Sequence, residues 1–348
     1  MNAMEGENLE IMGCRKPRRR WLRFSLRTLV LAITLVCVWL GFTANQAKRQ
    51  KRAVDALRAA GAEILYDYQV NEDGGHDLSK PLPPPPGPDW LRNIIGLDYF
   101  ATAVCVDVHP QDDITDETFD SLANLPHLRR VSIVGLGVTD ARIARLGNLK
   151  ELRTLFVRNS SITDGGWELL EHLPQLKRLR LDGPNVSDST LGHVKGLVEL
   201  THLYLIDNQV SDFGLRNLED LSQLEVLWLY GHNKNLRRDF GFRPIGSGKL
   251  ANDSSSGISD AGLRCLEQLS HLKVLNVYLP ASRITSAGLQ DLKRSLPNST
   301  VAGKQWTRLS NLVAKRITTT RDSQMGNHLD PLGCEICSAK TFSAKSMS

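Results

Sequence analysis

The stretch "ITDETFDSLANLPHLRRVSIVGLGVTD" (114–140) begins with Ile114-Thr115-Asp116 and ends, 24 residues on, with Val138-Thr139-Asp140. Between the two triplets the apolar pattern changes period. Phe119 and Leu122 are three apart, the spacing of one helical face. Val131 and Ile133 are two apart, the spacing of a strand whose alternate residues point inward. One short strand, a turn and one helix are therefore predicted per interval.

The triplet recurs as Ile162-Thr163-Asp164, Val186-Ser187-Asp188, Val210-Ser211-Asp212, Ile258-Ser259-Asp260 and Ile284-Thr285-Ser286. The first five are 24 residues apart, and the last two follow gaps of 48 and 26. Three residues past each triplet stands a large apolar side chain: Phe119, Ile143, Trp167, Leu191, Leu215, Leu263 and Leu289. After the middle helices come runs such as "LPQLKRLRL" (173–181) and "LSQLEVLWL" (221–229), whose final Leu-x-Leu reads as a strand. No such unit can bury its apolar side alone, so neighbours must stack. The predicted fold is an α/β leucine-rich repeat solenoid, a horseshoe of about seven strand–helix units over 104–303.

A hydroxyl-Asp pair directly ahead of an apolar-periodic helix is an N-terminal signature. The oxygens accept backbone N–H groups, and the negative charge complements the helix dipole. Six equivalent aspartates down a row do not converge on one pocket, as acid–base chemistry requires. They are read as architecture.

Strand residues that alternate with the buried leucines face the open, concave side. The middle column is Asp107, Ser132, Phe156, Arg180, Tyr204, Trp228 and Asn276. Arg130, Arg158, Arg178, His202, Tyr230 and Tyr278 flank it. Exposed aromatics and arginines on one surface have the composition of interface hot spots. The candidate ligand-binding residues are Arg130, Phe156, Arg158, Arg178, Arg180, Tyr204, Trp228, Tyr230 and Tyr278.

Between Tyr230 and Ile258 an insertion, 231–257, departs from the repeat template and is rich in Gly, Ser and Asn. It reads as a long surface loop emerging beside Trp228 and Tyr230. Its Gly246-Ser247-Gly248-Lys249 lacks the first glycine of a phosphate loop and the hydroxyl after the lysine, so no nucleotide cofactor is assigned.

Upstream, 20 uncharged residues separate Arg27 from Lys48, dense in apolar side chains from Leu29 to Phe42. This reads as a transmembrane anchor over 28–47, with no small-x-small cleavage site of a signal peptide. Seven basic residues precede it and Lys48, Arg49, Lys51 and Arg52 follow. That bias puts residues 1–27 in the cytoplasm and the repeats outside. Residues 48–103 are read as a juxtamembrane helix ended by Gly61, a strand in "AEILYDYQV", a polyproline spacer in "KPLPPPPGP" (80–88) and a cap in "DWLRNIIGLDYF" (89–100). A last strand is expected in "SLPNSTV" (295–301). Residues 304–348 lack a period and are read as a disordered tail.

Charge agrees with this division. Residues 1–60 carry 12 basic and 4 acidic side chains, residues 304–348 carry 7 and 3, and the body 61–303 carries 24 and 31. An acidic body argues against a nucleic-acid partner. The six cysteines form no disulfide framework, and Cys334-x-x-Cys337 has only His328 nearby, short of four zinc ligands. No nucleophile–base pair, metal cluster or cofactor loop is present, so an enzyme is not expected.

Ser259-Asp260-Ala261-Gly262-Leu263 resembles the TDAGL-type, ribonuclease-inhibitor-like repeat class. The chain from about 18 to 303 also resembles bacterial membrane-anchored leucine-rich repeat proteins, in "RRWLRFSLRTL" (Arg19–Leu29), "YDY" (Tyr66–Tyr68) and "PGPDWL" (Pro86–Leu91). The resemblance implies a single-pass protein of the bacterial inner membrane with its repeats on the periplasmic side. Such repeats carry Asn, Thr or Cys after the strand, where this chain has Leu136, Ser160, Pro184, Asn208 and His232; only Asn208 and Ser160 suit that role. The expected function is non-enzymatic: a scaffold binding a protein partner, or alternatively an envelope polysaccharide or other anionic polymer.

Overall fold

The structure is a computed structural model that describes residues 26–71, 81–109, 114–135, 137–158, 160–231, 257–279 and 282–302. The chain divides into two units, 1–45 and 46–348. In the first, the described residues are the leading part of helix α1 (Leu26–Ala59), where Leu29 to Phe42 present exposed apolar side chains. The stretch Leu29–Ala59 is long and apolar enough to cross a membrane.

The second unit is built on one nine-stranded sheet in sequence order. Its strands are β1 (Glu63–Tyr66), β2 (Ala103–Val108), β3 (Arg130–Val134), β4 (Thr154–Arg158), β5 (Arg178–Asp182), β6 (His202–Ile206), β7 (Val226–Tyr230), β8 (Val274–Tyr278) and β9 (Thr300–Ala302). Only β1 runs antiparallel to its neighbour. Between the parallel strands lie α3 (Asp116–Ala123), α4 (Asp140–Ile143), a 3₁₀ helix (Asp164–His172), α5 (Asp188–Val194), α6 (Asp212–Leu215), α7 (Asp260–Cys265) and α8 (Ser286–Ser295). The helix predicted after Asp164 is 3₁₀ throughout, and it begins with Gly165-Gly166, a poor start for an α-helix.

The periodic apolar positions of the interval 114–140 enter one core. Ile114, Phe119, Leu122, Leu125, Leu128, Val131, Ile133 and Val138 are buried, as are most of their counterparts in later intervals; Ile284, Leu289 and Val301 in the last one are partly buried against the same core. Strand β7 pairs directly with β8, Val226 to Val274 and Tyr230 to Tyr278. The 48-residue spacing is therefore bridged with no strand between them in the sheet. The inserted residues 232–256 and the tail 303–348, with Cys334 and Cys337, lie outside the described residues, as do 1–25.

Each triplet does more than start its own helix. Ser187, Ser211 and Ser259 accept the N–H two residues on through their hydroxyls, and Thr285 accepts that of Gly288. In every triplet but the last, which has Ser286 in its place, the aspartate beside the hydroxyl reaches forward into the next interval. Asp140 accepts the Thr163 N–H at 2.8 Å and its hydroxyl at 2.6 Å. Asp188 does the same for Ser211, Asp212 for Ser259 and Asp260 for Thr285. These charge-assisted bonds join successive intervals. Of the two expected acceptors, the hydroxyls of Ser187, Ser211, Ser259 and Thr285 cap their own helices, while the carboxylates fasten the neighbour's cap.

The room for each carboxylate comes from a glycine in the following helical turn. A Cβ on Gly166, Gly214, Gly262 or Gly288 would strike the carboxylate of Asp140, Asp188, Asp212 or Asp260. Where the glycine is missing, the bonding changes. Thr190 stands there in α5, and its hydroxyl donates to Asp164 at 2.6 Å while the Ser187 N–H turns to Thr190 instead. Arg142 stands there in α4, and its Nε donates to Asp116 at 2.7 Å. That hydrogen bond, then the Arg142 charge, holds the Asp116 carboxyl below its ordinary range.

The N-terminal end of the sheet is closed differently from expectation. Helix α2 (Asp89–Ile95) buries no residue, and Trp90 and Ile94 are exposed. The closure comes from β1, paired to β2, and from Ala53, Val54 and Leu57 on α1, which join the core. A four-residue antiparallel strand satisfies the open edge of β2, which a short helix cannot do. Gly61, at φ 75°, ends α1 as predicted, with the Ala62 N–H returning to the Leu57 carbonyl. Among the described residues Asn208 makes no bond across to the next turn. Its Oδ1 accepts the Val210 N–H inside its own turn.

Candidate functional site

In-register parallel pairing places residues one interval apart side by side. Asp107, Ser132, Phe156, Arg180, Tyr204, Trp228 and Asn276 are consecutive partners across β2 to β8. Arg130, Arg178 and His202 fall in the row on the N-terminal side of this column, and Arg158, Tyr230 and Tyr278 in the row on the C-terminal side. All nine candidate residues thus lie on one face of the sheet.

Neighbouring strands are about 4.8 Å apart, so large rings on adjacent strands must touch. The Tyr204 ring meets Trp228 edge-on at 5.3 Å and Phe156 at 6.1 Å. Trp228 lies against Tyr230 at 5.4 Å, and Tyr230 stacks on Tyr278 at 6.1 Å. At the other end the Arg130 guanidinium sits over the Phe156 ring, 5.4 Å from its centre. A single row of contacts therefore runs from β3 to β8.

This contact alters the expected exposure. Arg130, Phe156, Arg180 and Trp228 are buried, whereas Arg158, Arg178, Tyr204, Tyr230 and Tyr278 are half-buried. Side chains predicted to stand open instead shield one another, because rings one strand spacing apart leave little room for water. The Trp228 indole N–H has no acceptor among the described residues, so ring packing holds it.

Two carboxylates complete the face: the sequence placed Asp107 in its middle column without making it a candidate binder, and left Asp182 without a role. Asp182 follows Arg180 by two residues, which puts both on the same side of β5. Arg180 Nε and Nη2 bind its carboxylate at 2.8–3.1 Å. The signal was the Arg-x-Asp spacing within a strand. Asp107 lies 3.5 Å from Arg130 in a second buried pair. Burial pushes the Asp107 carboxyl up, against the pull of Arg130, His109 and Arg158.

Burial and then Tyr278 raise the Tyr230 hydroxyl from 10.0 to about 12. The folded state thus holds this proton more tightly than the unfolded chain. Its contribution to stability is present below pH 10 and is lost as pH rises towards 12. Urea midpoints measured against pH should therefore fall across that window, and Tyr230→Phe should make the fall shallower.

Among the described residues no group of three or more His, Cys, Asp or Glu side chains is placed to hold a metal ion. No protein-family model matches the chain, and no curated protein does. Among solved structures it is similar to internalin C2 from Listeria monocytogenes. The two are 21% identical over 62% of this chain and 79% of that one, with a TM-score of 0.36.

Proposed function

We propose that this chain is a membrane-anchored leucine-rich repeat scaffold, a horseshoe of about seven units, that holds a protein partner against the aromatic and arginine face of its sheet. The continuous row from Arg130 through Phe156, Tyr204, Trp228 and Tyr230 to Tyr278 carries this reading. Rings already locked against one another lose little freedom on binding, so contact made over them is opposed by less entropy. Half-buried Tyr204, Tyr230, Tyr278, Arg158 and Arg178 offer hydroxyls and guanidinium groups around buried ring surface, the arrangement of an interface centre with a polar rim. The anchor is the apolar part of α1. The larger basic count ahead of it supports an orientation with the repeats on the periplasmic side of a bacterial inner membrane.

The test uses Arg178→Ala/Tyr278→Ala, because Arg180 and Trp228 are buried and their loss would perturb the fold. Full-length protein should capture a partner from cross-linked envelope extracts. The double variant should lose at least about tenfold in capture, the equivalent of one hot-spot contact, with an unchanged circular dichroism spectrum. Undiminished capture would sink the reading. Retention of envelope polysaccharide alone on a glycan array would replace the protein partner with an anionic polymer.

A further inference from the structure

The segment 81–100 exposes large apolar side chains that the fold itself does not use. Trp90 and Ile94, one helical turn apart on α2, are 65% and 72% exposed, and Leu82 is 50% exposed. This surface is nevertheless held firmly. Arg92 Nη1 donates to the carbonyls of Pro85 at 2.6 Å and Gly87 at 2.8 Å, and its other amino group pairs with Asp89. The Phe100 ring lies so close to Gly87 that a Cβ there would meet it at 2.8 Å. Gln50 on α1 donates to Asp98 at 3.0 Å and to the Ala101 carbonyl at 2.8 Å. Trp90 and Ile94, neighbours on one helical face and held in place, form a candidate contact surface.

Chain length limits how far this segment can lie from the candidate span. Phe42 is the last large apolar residue of the candidate span, and Ala47, five residues on, is the first buried residue of the described chain. Five residues reach at most about 18 Å even when fully extended. Gln50, which fastens the segment 98–101, is three residues further. Lys48, Arg49, Lys51 and Arg52 are exposed in the same stretch and complement anionic headgroups. Tryptophan beside aliphatic side chains is the composition of the water–lipid boundary.

We infer that Leu82, Trp90 and Ile94 seat in the interfacial layer of a phospholipid bilayer, so that the repeat body is fixed to the membrane at a second point and is not swung from its anchor alone. This rests on the anchored reading of α1. The patch supplies the apolar insertion and the four cations supply the headgroup attraction, the two contributions that hold a surface-bound element.

The experiment places nitroxide labels on the full-length chain in phosphatidylcholine–phosphatidylglycerol vesicles. Native Cys37, exposed on α1, reports the anchor. Single labels at Leu82→Cys, Ile94→Cys and, as a distant control, Phe213→Cys report the body, with the other cysteines replaced. Collision with oxygen is compared with collision with a water-soluble nickel chelate. Labels at Leu82→Cys and Ile94→Cys should favour oxygen, as the Cys37 label does, while the Phe213→Cys label favours nickel. Nickel-favouring labels at Leu82→Cys and Ile94→Cys beside an oxygen-favouring Cys37 would overturn this inference alone. Labels there shielded from both reagents would show a protein occupant and also overturn it. A nickel-favouring Cys37 would overturn the anchored reading and this inference with it.

Discussion

Replacing Arg180 with Met should lower stability by about 3–5 kcal/mol, read as a reduced urea midpoint. The guanidinium is 1% exposed, and Asp182, which it binds through two nitrogens, is 8% exposed. Removing the cation strands a carboxylate where water cannot solvate it. Removing both charges, in Arg180→Met/Asp182→Leu, should return most of the loss, because two apolar side chains of similar volume need no counter-charge. Equal midpoints for the single and double variants would show that the pair is not what Arg180 contributes. A binding assay on Arg180 variants would mix this stability effect with any effect on a partner, which is why Arg178 and Tyr278 are the better probes of the face.

The second large effect is expected on the opposite side of the repeats. Gly214→Val should cost about 2–4 kcal/mol, combining overpacking with the loss of hydrogen bonds to a half-buried carboxylate. A Cβ at this position would lie 3.0 Å from Asp188 Cγ and 3.1 Å from its Cα, so a side-chain rotation of Asp188 cannot make the room. Asp188→Ala alone removes the bonds to Ser211. The two substitutions together should therefore cost less than their sum, a coupling that a double-mutant cycle measures. Gly192 supplies the contrast. It sits within α5 with nothing within 4 Å of its Cβ position, so Gly192→Ala should stabilise by about 0.5–1 kcal/mol. Two glycines in neighbouring helices should thus respond to a larger side chain with opposite sign.

The face of the sheet was readable from sequence to an unusual depth. A 24-residue return and a period of two suffice to place Phe156 beside Arg180, and Arg180 beside Tyr204, because parallel strands pair residues one interval apart. The same reading missed how deep those residues lie. Phe156 and Trp228 carry no local mark that separates a ring packed on its neighbours from a ring open to water. Of the cover read over 89–100, Leu97 packs against the core while Trp90 and Ile94 do not. The helical spacing of Trp90 and Ile94 looks the same whether a helix packs inward or outward, and only the pairing of β1 with β2 shows that the edge was already closed.

Sequence by itself determined the periodic order of strand and helix, the in-register columns and the apolar character of the N-terminal helix. All three follow from spacing along the chain and from side-chain polarity. Tertiary structure alone decided the partners and the exposure. Asp188 bonds Ser211, 23 residues away, and Arg180 is withdrawn from water onto Asp182. The physical reason is that periodicity specifies which residues become neighbours. Whether a neighbouring group accepts a hydrogen bond, screens a charge or displaces water depends on side-chain geometry between intervals, which no local pattern encodes.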